Sequence, residues 1–171
     1  MRKLLFLLAL LPTAAMAEKM QFDHRTYPAL QTALDSGNND LVLFDDSNPR
    51  YVFDRIAIRG KSATDWTEAL EIVVRSKDKG MSTPDQWYEQ IRQRMTAACA
   101  SEFAVVARDG NSVTFTRSST GCGEDTAHTG YYRIIAGRRS LFLLNFLDKN
   151  SASDAARQQW LALLGSARIA S

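Results

Sequence analysis

The fold is decided by residues 83–99, TPDQWYEQIRQRMTAAC. Thr83 can cap the free N–H groups of a first helical turn, Pro84 suits the first helical position, and Gln86 completes a capping box. Trp87, Ile91, Met95 and Ala98 then recur at helical spacing and make one apolar stripe. Cys99 closes the helix, and the only other cysteine, Cys122, lies in a loop between Gly121 and Gly123. The spacing predicts a helix packed on a sheet and stapled to it by a Cys99–Cys122 disulfide. Closing a loop of this size contributes roughly 3 kcal/mol in the chain-entropy model.

The disulfide expectation depends on the address. Arg2 and Lys3 precede the apolar run Leu4 to Leu11, Pro12 breaks it, and Ala15-Met16-Ala17 is an A-x-A cleavage pattern. Residues 1–17 therefore read as a cleaved secretory signal, too short to span a bilayer, and residues 18–171 as a single domain. No later stretch has the length of a span. The expected location is the bacterial periplasm, with secretion as the alternative, and both favour paired cysteines. The whole sequence carries 21 basic and 19 acidic residues; without Arg2 and Lys3 the two signs balance at 19 each. That balance argues against a nucleic-acid partner, which selects a basic excess.

Before the central helix, Tyr27, Leu30, Ala33 and Leu34 suggest a short surface helix, and residues 41–44 a short strand. Residues 51–59 read as a longer strand. Its apolar phase switches from Tyr51 and Phe53 to Ile56 and Ile58, which suggests a bulge or an edge. Residues 66–75 alternate Trp66, Leu70, Ile72 and Val74 against Thr67, Glu71 and Arg75, the pattern of a half-buried strand. After the helix, residues 103–108 and 112–117 flank Asp109-Gly110-Asn111 as a hairpin. Residues 131–136 and 141–147 flank Gly137-Arg138-Arg139 as another. The strand at 141–147 is apolar on both faces and should be central. Residues 151–167 close the chain as a helix with Ala156, Trp160, Leu163, Leu164 and Ala167 on its buried stripe.

Antiparallel hairpins with segregated helices specify an α+β fold. About six strands should form a twisted, mainly antiparallel sheet covered by the two amphipathic helices. This order of elements over residues 18–171 resembles that of the PsbP-like domains, which implies an α/β/α sandwich. The resemblance concerns the fold and carries no function.

Few residues suit catalysis. The histidines are His24 and His128 alone. Glu124, Asp125 and His128 could be imagined as metal ligands, but they share one loop and lack H-E-x-x-H spacing. Cys122 with His128 as base would make a small envelope hydrolase, provided the thiol were free. No G-x-S-x-G elbow and no phosphate-cradling loop occurs. No metal and no cofactor is expected. Exposed Tyr and Arg are favoured at interfaces, so Tyr131, Arg133, Arg138 and Arg139 form the candidate partner-binding surface. The sequence thus favours a non-enzymatic protein that binds an unidentified envelope or secreted protein, as an accessory factor or as an inhibitor or immunity protein. The alternatives are the Cys122/His128 hydrolase and a small-molecule or lipid carrier. The carrier ranks last, because dense apolar stripes suggest a filled core.

Overall fold

A computed structural model describes residues 18–123, 126–150 and 152–170. The signal-like segment and the Glu124-Asp125 pair lie outside these residues. Among the described residues the elements run β1 (Lys19–Gln21), α1 (Pro28–Asp35), β2 (Val42–Asp45), β3 (Tyr51–Gly60), β4 (Trp66–Ser76), α2 (Pro84–Ala98), β5 (Ala100–Arg108), β6 (Ser112–Thr120), β7 (Thr129–Ala136), β8 (Ser140–Asp148), α3 (Asp154–Ser166) and β9 (Arg168–Ala170). Seven strands form one sheet in the order β2-β3-β4-β8-β7-β6-β5, and every pairing is antiparallel. The class is α+β, with helices on both faces of the sheet.

The local sequence explains the element ends. The Thr83 hydroxyl accepts from the Gln86 N–H, and the Gln86 side chain accepts from the Thr83 N–H, so the capping box closes as read. β8 is the fourth of the seven strands. Its central place follows from apolar side chains on both faces: Leu141 and Leu143 meet the α2 layer, while Leu144 and Phe146 meet the α3 layer.

Register turns strand alternation into rows across the sheet. On the α3 face, Ile56, Leu70, Phe146 and Tyr131 lie side by side. Trp160 of α3 stacks on Phe146 at 5.2 Å, and both Tyr27 and Tyr131 meet it edge-on. Leu30 of α1 and Leu163 and Leu164 of α3 complete this core. On the α2 face, Trp87 and Met81 pack with Phe115, Tyr132, Ile134 and Leu143.

Three features depart from the expected pattern. The sheet has seven strands against about six expected, because the short strand read at residues 41–44 forms at Val42–Asp45 and joins the sheet by pairing with β3. Residues 19–21 and 168–170, too short to show a period, join as a separate two-stranded ribbon. The phase switch in β3 is no bulge, since its register with β4 is continuous from Tyr51 to Ala57. Phe53 faces the α2 side, while Ile56 and Ile58 pack into the α3 core, so different ends of the strand bury different faces. The irregularity comes later, between Ala57 and Gly60.

Candidate functional site

Helix α2 covers only part of its face. It packs on β5, β6 and β7. Along its stripe, Trp87 is buried, Ile91 and Met95 are half-buried, and Ala98 is exposed. The second half of the helix therefore stands off the sheet. Cys99 turns the chain directly into the edge strand β5, and its disulfide to Cys122, just beyond β6, holds that end with a Cα–Cα distance of 5.4 Å.

A groove of about 330 Å³ opens between this half of the helix and strands β3, β4, β8 and β7. Tyr51, Phe53, Val73, Leu143, Trp87, Ile91 and Met95 give it apolar walls. Its floor is crossed by one row of the sheet, Arg55-Glu71-Asn145-Tyr132. Arg55 donates through Nε and Nη2 to Glu71 Oε1 at 2.9 and 2.7 Å. Its guanidinium also lies 5.2 Å from the ring centroids of both Phe53 and Trp66. Asn145 Nδ2 donates to Glu71 Oε2 at 3.3 Å. The Asn145 residue is 4% exposed, and its Oδ1 accepts no hydrogen bond among the described residues. At the mouth, Arg75 donates to Asp78 and lies 5.8 Å from the Trp87 ring centroid, while its buried Nε has no partner among the described residues. Arg94 also lines the groove and is exposed.

A second polar cluster lies on the α3 face. Glu68, 4% exposed, accepts from Tyr27 Oη at 2.5 Å and Trp160 Nε1 at 3.2 Å, and pairs with Arg59 Nε at 3.0 Å. Asp148 is its cross-strand neighbour. Burial pushes both carboxyls up; for Glu68, the Tyr27 hydrogen bond and Arg59 partly oppose it. Burial and Glu68 raise the Tyr27 phenol to about 12. Both Glu68 oxygens are engaged, so Glu68 ties Tyr27 and α3 to β4.

The residues singled out in the sequence fall in different places. Cys99 and Cys122 are bonded to one another, so Cys122 has no thiolate for nucleophilic attack. His128 is exposed. Tyr131 is 8% exposed and packs on Trp160. Arg133 Nη1 donates to the Leu164 carbonyl at 2.8 Å and so caps the end of α3. Arg138 and Arg139 stand exposed on the β7–β8 turn, with their backbone N–H groups donating to the Glu18 carboxylate. The four candidate surface residues thus divide into a covered pair and an exposed pair. The groove is not legible in the sequence, because its signal lies in cross-strand register: Glu71 and Asn145 are 74 residues apart in sequence and meet only in the sheet.

No protein-family model matches the chain, and no curated protein sequence matches it.

Proposed function

We propose that this is an exported protein of the bacterial envelope, working in the periplasm, that acts by binding and not by catalysis. Its binding element is the groove under the second half of α2. The export-like first residues and the disulfide support the location, and no helix among the described residues is long and apolar enough to cross a membrane.

The observation that carries the reading is the groove itself, with apolar walls and the unsatisfied Asn145 Oδ1 among its lining residues. Small-ligand sites combine an apolar lining with a few placed polar groups, in volumes of roughly 300–1,000 Å³. This groove lies at the lower end of that range, which moves a small ligand ahead of a protein partner. The protein-partner reading keeps the exposed Arg138 and Arg139 turn as its surface.

The test is native mass spectrometry of residues 18–171 recovered from envelope extract under non-reducing conditions, beside an Ile91→Trp variant whose indole would fill the groove. The expected result is an added small-molecule mass on the wild type that the variant lacks. A stoichiometric protein partner retained equally by both forms would move the function away from the groove.

A further inference from the structure

We propose that the groove takes a small amphipathic carboxylate: an apolar chain with its anionic end at the mouth and a hydrogen-bond donor at its buried end. This inference rests on the groove being the binding element and adds the chemistry of the occupant.

The floor sets the buried end. Asn145 has one amide orientation that fits its surroundings. Its Nδ2 donates to Glu71, whereas the flipped amide would set an oxygen against that carboxylate. Oδ1 is thereby left as a buried acceptor without a donor. Such a group costs free energy until something donates to it. The Glu71 charge does not call for a cationic ligand, because Arg55 already holds it through two hydrogen bonds. What the floor lacks is a neutral donor, such as a hydroxyl.

The mouth sets the other end. Glu71, Arg75 and Arg94 are the charged residues that line the groove. With Glu71 matched by Arg55 and Arg75 sharing the exposed Asp78, Arg94 remains as a cation with no ion pair among the described residues. The buried Nε of Arg75 is a further donor without an acceptor. An anion at the mouth would pair with Arg94 and share the Arg75 guanidinium, which also lines the groove. Between the two ends, Phe53, Val73, Leu143 and Ile91 present only carbon. That lining fits an unbranched or aromatic apolar body.

The test uses three ten-carbon probes on residues 18–171 with the disulfide intact: ω-hydroxydecanoate, decanoate, and the α,ω-diol of decane. Binding is followed by calorimetry below the micelle concentration. The hydroxy acid is expected to bind about three- to tenfold more tightly than decanoate, the worth of one added hydrogen bond. Arg94→Gln should weaken both carboxylates severalfold and leave the diol unchanged. Ile91→Trp should abolish binding of all three. If the diol binds as well as the hydroxy acid, or Arg94→Gln changes nothing, the carboxylate assignment is wrong. Equal binding of decanoate and the hydroxy acid removes the donor assignment, a comparison made on wild type that needs no core variant. Should none of the probes bind, the ligand class is overturned while the groove remains open to other chemistry. If Ile91→Trp binds the probes as wild type does, the groove reading itself fails.

Discussion

At the scale of single residues, the buried carboxyls decide how the fold responds to pH. Asp148 is 8% exposed; burial raises its pKa, while the Asn150 N–H and Arg59 pull the other way. A carboxyl whose folded pKa is raised holds its proton more readily folded than unfolded. Its contribution to stability is full below the unfolded value of 3.8 and is lost as the pH rises through the folded one. Asp148→Asn keeps an acceptor for the Asn150 N–H, which donates to Oδ1 at 2.6 Å, but cannot ionise. The variant is therefore expected to match wild type in acid and to become the more stable of the two as the pH approaches neutral. Paired melting curves across that range check this; a constant difference between the two proteins would mean that Asp148 ionises without cost. The same logic at alkaline pH applies to Tyr27. Its neutral form is favoured up to about 12 against an ordinary 10.0, so its share of stability is lost between those values.

At the scale of elements, α2 is held at its two ends by different means. The Thr83 capping box fixes its start, and the Cys99–Cys122 bond fixes its end. Thr83→Ala should lower the unfolding free energy by about 1 kcal/mol in a denaturant titration. The double change of Cys99 and Cys122 to Ser should cost about 3 kcal/mol in the same experiment. A smaller loss in the second case than in the first would mean that the bond adds nothing beyond packing already present. The helix also shows what a one-dimensional sequence can convey. Its caps, its stripe and the disulfide are local patterns or follow from the cysteine count, and the two-faced strand β8 is evident from composition alone. Coverage is different. Tyr131 and Arg133 do share a strand face, as alternation requires. Which helix covers that face depends on the chain path, and α3 covers it, taking Tyr131 into its core and Arg133 as a cap. The stripe of α2 likewise gives no hint that its second half stands clear of the sheet. Nor can β1 and β9 be read from three residues each; they exist because residues 19–21 and 168–170 meet in the fold.

At the scale of the whole molecule, the two faces of the sheet are unequally closed. On one, α1 and α3 seal a continuous aromatic core around Trp160, which is fully buried. On the other, α2 covers β5 to β7 and leaves the groove over β3, β4 and β8. Local opening follows buried contacts, so this asymmetry should appear as a gradient of hydrogen exchange. The slowest amides are expected in β4, β8 and β7, which are paired on both edges and packed on the α3 face. Within α2, residues 91–98 should exchange faster than 84–90 and faster than the Trp160–Leu164 turn of α3. Reduction of the disulfide should speed exchange in 91–99 and near Cys122 while leaving α3 unchanged, because the bond touches only the half-open face. A ligand in the groove should reverse that order by bridging Ile91 and Met95 to Val73 and Leu143, slowing residues 91–98 more than any other segment. Uniform protection along α2, or a reduction effect that spreads equally to α3, would show the two layers to be one cooperative unit. The groove would then be a fixed indentation and not a mobile cover over the sheet.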